Sequence, residues 1–182
     1  GTEGKIASIK YARINKIPFL GICFGMQMAI IEFARNVLNI KTASSSELNS
    51  KCTPVVGLIH EWKKDGKTIR GTNKDLGGTM RLGLYEAELL NNSLIKSIYK
   101  TKSIKERHRH RYEVNTNFKK HFEKKGLIFS GNSPDKNLPE IIELKNHPWF
   151  IGVQFHPEFK SRPLSPHPLF SSFIKAAKNH KK

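Results

Sequence analysis

Of the two cysteines in this chain, Cys23 and Cys52, only Cys23 stands in a setting that could do chemistry. It lies in Pro18-Phe-Leu-Gly-Ile-Cys-Phe-Gly-Met-Gln27, where a short apolar stretch runs into a helical pattern. A nucleophile on such a strand-to-helix elbow is exposed above a sheet edge, and its flanking glycines permit the tight bend. A helix N-terminus favours thiolate, so Cys23 is expected to ionise below the usual ~8.5. The backbone N–H of Phe24 would point where an oxyanion forms. A second segment, Val153-Gln-Phe-His-Pro-Glu158, supplies the other parts. Pro157 keeps His156 extended, and residues two apart in an extended chain face the same way. Glu158 can then hold Nδ1 of His156 and leave Nε2 free for Cys23. Nucleophile, base and orienter follow in the order Cys, His, Glu, which is the logic of covalent acyl transfer. Either segment alone is weak, since a buried cysteine is more often inert. Together they make an enzyme the leading reading.

The elements that must position these groups follow from periodicity. Residues 1–15 read as a helix and 16–22 as a short apolar strand. Residues 25–38 read as a helix apolar on nearly every side and therefore buried. Strands are expected at 55–60, at 80–84 through the alternation of Met80, Leu82 and Leu84, and at 127–130, 141–144 and 150–155. Residues 63–67 read as a turn and 118–125 as a short helix. A C-terminal helix over 168–178 should bury Leu169, Phe170, Phe173, Ile174 and Ala177. Strands and helices are mixed throughout, which argues for an α/β sheet domain.

The 182 residues suit one domain, and 37% hydrophobic with 26% charged residues suits a soluble globular chain. No apolar run reaches the roughly 18 residues of a membrane helix, and the first residues carry no secretory pattern. Sparse cysteine fits a reducing compartment, read as cytoplasm. The net charge of +17 raises nucleic-acid binding as an alternative. The lysines are scattered and form no nucleic-acid module, so the charge is read as a solvated face, part of it turned to an acidic partner or anionic substrate. His108 and His110 sit two apart on a strand-like stretch, but no third ligand has suitable spacing, so no metal site is expected. Cys52 reads as structural, and Met26 and Met28 as core or pocket wall.

The elbow and the His-Pro-Glu segment resemble the class I glutamine amidotransferases. Gly77-Gly-Thr-Met-Arg-Leu-Gly83, Glu106-Arg-His-Arg-His-Arg-Tyr-Glu-Val-Asn115, Phe159-Lys-Ser-Arg-Pro-Leu-Ser-Pro166 and Ile31-Glu-Phe-Ala-Arg-Asn-Val37 narrow the match to the glutaminase domains of the CTP synthase family. The resemblance implies a flavodoxin-like α/β fold with a mostly parallel central sheet flanked by helices. It implies hydrolysis of L-glutamine to glutamate and ammonia, with Cys23 as nucleophile, His156 as base and Glu158 as orienter. Phe24, Gly25, Met26 and Gln27 match backbone and side-chain glutamine contacts. Glu47 matches the carboxylate that receives the α-amino group, and Arg111 the arginine near the α-carboxylate. The segment containing Arg81 matches a lid linked to GTP activation.

By the same resemblance the domain needs no cofactor of its own. A synthetase domain of the same polypeptide would use ATP and Mg²⁺ to aminate UTP to CTP, with GTP as allosteric activator. The full enzymes form homotetramers and filaments. The family's first strands and its Gly-Gly oxyanion loop have no counterpart in residues 1–182, which implies weak glutaminase activity for this stretch by itself. The glutaminases of GMP and carbamoyl phosphate synthesis share the triad, but are not expected to carry the 77–83 and 107–115 segments in this form.

Overall fold

The computed structural model describes residues 1–58, 61–64, 67–70, 80–136 and 138–180, with 61–64 and 67–70 described as backbone. In chain order the elements are α1 (Thr2–Ile14), β1 (Phe19–Ile22), α2 (Phe24–Asn36), β2 (Ala43–Ser45), β3 (Thr53–Leu58), β4 (Glu61–Lys64), β5 (Lys67–Arg70) and β6 (Arg81–Leu89). There follow α3 (Leu94–Tyr99), β7 (Ser103–His110), β8 (Tyr112–Val114), α4 (Lys119–Lys124), β9 (Leu127–Asn132), β10 (Pro139–Leu144), β11 (Phe150–Val153) and α5 (Pro168–Asn179). A 3₁₀ turn, Pro157–Lys160, follows β11 and carries Glu158.

A six-stranded sheet runs β1-β11-β10-β9-β6-β7, a three-stranded sheet β2-β3-β8, and β4 and β5 pair as a hairpin. The α/β class holds. The mostly parallel sheet does not: in the described six-stranded sheet only β1 and β11 pair in parallel. The other four pairings are antiparallel. β9, β10 and β11 follow one another through short connections, which permit hairpins but not the helical crossovers a parallel pair needs.

Alternation along the strands divides the core between the two sheet faces. Phe19, Ile142 and Phe150 pack with α1, α2, α4 and the smaller sheet, whereas Leu20, Ile22, Ile141, Ile151 and Val153 pack with α3 and α5. Helix α2 is buried at every position from Met26 to Ala34, as its all-round apolar pattern requires. Its one acid there, Glu32, is fully buried and held by both arms of Arg13 from α1, each at 2.8 Å. Bidentate pairing satisfies a charge that burial would otherwise make costly.

Two amphipathic readings are corrected. β6 forms, but Leu82 and Leu84 are exposed at 61% and 55% while Arg81 is buried. The inward face of the strand starts at Arg81 in a charged cluster and turns apolar only at Ala87 and Leu89. On α5, Leu169 is buried and Phe173 and Ala176 pack inward, but Ile174 and Ala177 are exposed. The buried stripe is therefore narrower than the five apolar positions suggested.

Candidate active site

β1 ends at Ile22, and Cys23 turns the chain directly into α2 with φ 49° and ψ −101°. This left-handed conformation is strained for a residue with a side chain. Two backbone bonds brace it: Cys23 N–H donates to Val153 O at 2.7 Å, and Gln27 N–H to Cys23 O at 3.2 Å. The bend also needs Gly21, because a Cβ there would lie 2.8 Å from the Gly25 carbonyl carbon. Strand and helix thus meet backbone to backbone immediately beside the thiol.

Parallel pairing of β1 with β11 aligns Ile22 with Val153, so Cys23 and the 154–156 segment emerge from the carboxyl ends of neighbouring strands. Gln154 is fully buried, and its amide Nε2 donates to Cys23 Sγ at 3.6 Å. His156 and Glu158 lie close as expected, with Nδ1 2.6 Å from Glu158 Oε1. A carboxylate oxygen accepts, so Nδ1 carries a proton, and the neutral ring would have its lone pair on Nε2. Nε2 is buried and without a hydrogen-bond partner among the described residues, Cys23 Sγ included. Such contacts commonly tighten only with substrate in place.

The thiol does not ionise as its helix position suggested. Burial pushes Cys23 up to about 11; the Phe24 N–H pulls it down, Glu113 pushes it further up, Gln154 lowers it and Glu158 raises it. Desolvation of the charged form outweighs the helix N-terminus here. Cys23 is therefore a neutral thiol near neutral pH, and attack by its sulfur would require a base to take the proton.

The remaining candidates divide. Glu47 is exposed, and its N–H donates to Ser45 Oγ at 3.2 Å. Glu47 and Arg111 both act on the Tyr112 phenol, which burial and then Glu47 push up while Arg111 pulls it down. Their opposite charges are thus brought to one neighbourhood. Arg111 Nη1 is buried without a hydrogen-bond partner among the described residues. Gln27 is buried, and its amide Nε2 donates to Tyr112 O at 3.0 Å and to Gln154 Oε1 at 3.3 Å. That nitrogen ties α2 to β8 rather than pointing outward. Met26 is fully buried, whereas Phe24 and Gly25 are half-buried at the start of α2. Of the 77–83 segment, residues 77–79 lie outside the described residues.

Arg81 opens β6 and bonds Glu140 Oε1 at 2.6 Å and Glu113 Oε1 at 3.2 Å. It anchors a buried charged cluster that sequence reading missed. Glu113 and Glu140 are both pushed above the usual carboxylate range, by burial first. His108 and His110 join them, with His108 Nδ1 2.9 Å from His110 Nε2 and His110 Nδ1 3.2 Å from Tyr112 O. A carbonyl can only accept, so His110 Nδ1 donates, its Nε2 accepts, and His108 Nδ1 supplies the proton. Burial, then Arg81, pushes His108 down to about 2 and His110 down to about 3. Among the described residues no group of three His, Cys, Asp or Glu side chains is arranged to hold a metal. The available signal was the i, i+2 spacing of Glu106, His108 and His110, which puts all three on one strand face.

A family model, glutamine amidotransferase class-I, matches residues 1–176. A CTP synthase of Pelagibacter ubique is 77% identical over 181 residues, covering 100% of this chain and 34% of that protein. The chain therefore spans about a third of the length of the curated relatives it matches. Among solved structures, the glutaminase domain of the Trypanosoma brucei CTP synthase with bound acivicin superposes with a TM-score of 0.86 at 36% identity. That match covers 100% of this chain and 68% of the other. A glutamine amidotransferase of Thermotoga maritima reaches a TM-score of 0.52 at 15% identity, over 86% of this chain and 47% of that one, a likeness of fold alone.

Proposed function

The chain belongs to the class I glutamine amidotransferases, alongside the glutaminase domains of CTP synthases, and we propose that it hydrolyses L-glutamine through Cys23, His156 and Glu158. The observation that carries this reading is the bare, buried Nε2 of His156, oriented by Glu158 beside a strained cysteine elbow.

The chemistry follows from those groups. His156 Nε2 takes the Cys23 proton as Sγ attacks the substrate carboxamide carbon, and Glu158 supports the imidazolium. Negative charge develops on the carboxamide oxygen, where the Phe24 N–H can donate. His156 returns the proton to the leaving nitrogen, ammonia departs, and a γ-glutamyl thioester remains. Water, deprotonated by His156, then attacks the thioester and releases glutamate and the Cys23 thiol. The neutral resting thiol suits this sequence, because proton transfer to His156 is coupled to attack. Glu47 and Arg111 would take the α-amino and α-carboxylate groups of the zwitterion, and opposite charges at its two ends are what such a substrate requires. Phe24, Gly25, Met26 and Gln27 would form the wall along the side chain. Acivicin in the related glutaminase domain fits a site that accepts an amino-acid substrate.

We further propose that the ammonia serves amination of UTP to CTP in a synthetase domain of the same polypeptide, with ATP and Mg²⁺ consumed there. GTP would activate the glutaminase step, with the segment around Arg81 involved. The assembly would be tetrameric and the compartment the cytoplasm. Ammonia release from glutamine tests the first reading. C23A and H156A should each lose on the order of 10⁴-fold in kcat. Unchanged release in C23A would end the proposal. CTP formation from UTP, ATP and glutamine by the complete polypeptide tests the second.

A further inference from the structure

The His156–Glu158 pair sits on a short turn, with the Glu158 side chain exposed and the His156 ring partly so. What fixes the turn is strand β7. His156 N–H donates to Arg107 O at 2.8 Å. At the far end of the turn, Lys160 Nζ donates to Lys105 O at 2.7 Å and to Glu106 Oε1 at 3.2 Å. Further along, His167 Nδ1 accepts from Leu169 N–H at 3.3 Å, so its Nε2 carries the proton and donates to Glu106 Oε1 at 3.1 Å. The Tyr99 hydroxyl donates to the same oxygen at 3.1 Å. Three donors from three separate elements thus converge on one oxygen of a carboxylate that is 2% exposed. A buried charge with this many donors is expensive to assemble and rigid once assembled.

We infer that Glu106 is a positioning residue for the base: its buried carboxylate ties down Lys160 and His167, and so fixes the turn that aims Glu158 at His156. The inference rests on the reading of His156 and Glu158 as base and orienter. Among the described residues Glu106 hydrogen-bonds Lys160, His167 and Tyr99 rather than the pair itself, and works through the segment that carries them. Lys160 supplies one tether and His167 the other, so losing the carboxylate releases His167 and leaves Lys160 only its bond to Lys105 O, while losing Lys160 leaves the His167 tether in place. Displacements of about 1 Å at a catalytic group cost roughly 100-fold in rate.

The test compares E106Q, K160M and E158Q with the unaltered protein. Glutamine at 106 keeps an acceptor but removes the charge that three donors need. In E106Q, kcat should fall about tenfold to 100-fold with KM for glutamine nearly unchanged. The acid limb of the kcat/KM profile should move to lower pH, because a displaced Glu158 no longer supports the imidazolium. E158Q should move that limb the same way, and K160M should do so to a smaller degree. His108 and His110 also face His156 from β7, but both stay neutral over this range, and the Cys23 thiol does not ionise until well above it. An independent readout is the His156 Nδ1–H proton resonance, which should lose its low-field position in E106Q.

A purely structural role would lower stability and leave the pH limb and that resonance in place, and this result would overturn the inference. If E106Q does not fold, K160M decides, since its ammonium lies at the surface. An unmoved limb and resonance in K160M would then reject the proposal. If the unaltered protein hydrolyses no glutamine, the enzymatic reading fails, while the His156 resonance in E106Q still decides this one.

Discussion

At Cys23, two adjacent effects oppose each other and burial wins. The helix start and the Phe24 N–H favour thiolate, but desolvation and the nearby Glu113 and Glu158 hold the thiol neutral to about 11. Alkylation by iodoacetamide should therefore accelerate steeply above about pH 9, rather than level off near neutrality as for an activated thiolate. Glu113 is ionised where the thiol titrates, so E113Q removes a negative neighbour and should lower the alkylation midpoint, giving several-fold faster labelling at alkaline pH. An unmoved midpoint in folded E113Q would show that burial alone sets the thiol. The elbow at Cys23 and the pairing of His156 with Glu158 were legible in the sequence because short-range rules fix each: flanking glycines permit the bend, and a proline holds two residues on one side. The sign of the thiol shift was not legible, because the burial that dominates it, and the Glu113 charge that adds to it, arise only through tertiary packing.

Among the elements, the β1–α2 unit carries the strictest packing requirement. G21A would place a methyl group against the Gly25 backbone, which cannot retreat as a flexible side chain could. It should cost about 1–3 kcal/mol in urea unfolding and slow labelling of Cys23 as well. The α1–α2 contact makes a separate prediction. R13M strands the fully buried Glu32 carboxylate and should destabilise by about 3 kcal/mol, whereas the paired change R13M/E32M should recover most of that loss. Helices α1, α2 and α5 were readable from their 3.6-residue period. β6 was readable as a strand but not for its direction of facing. Leu82 and Leu84 look like the inward residues until Arg81 is seen to close a cluster with Glu113 from β8 and Glu140 from β10. β8 and β2, three residues each, carry too short a pattern to be read at all.

For the molecule as a whole, the fold class was legible from mixed strands and helices, but the pairing was not. Nothing in a strand's own composition tells an antiparallel neighbour from a parallel one when both of its faces are buried. The buried cluster also shapes stability against pH. His108 and His110 stay neutral in the folded state while the unfolded chain protonates near 6.5, so they subtract stability as pH falls below that value. Glu113 and Glu140 act oppositely: raised in the folded state, they bind protons before the unfolded chain does near 4.5, and add stability as pH falls towards it. The two effects offset between about 6.5 and 4.5. Below that range the histidines act alone, and unfolding free energy should drop by roughly 1.4 kcal/mol per pH unit for each. Urea titrations across this range should show the plateau and the fall, and H110Q should halve the acid slope.

One measurement decides whether this is a formed glutamine site with Cys23 at its centre. The protein and its C23A variant are treated with 6-diazo-5-oxo-L-norleucine, an electrophilic glutamine analogue, and analysed by intact mass and peptide mapping. A single adduct on Cys23, protected by glutamine and lost in C23A, is the expected result. A folded protein that takes no adduct, or takes it at Cys52 instead, would contradict the assignment.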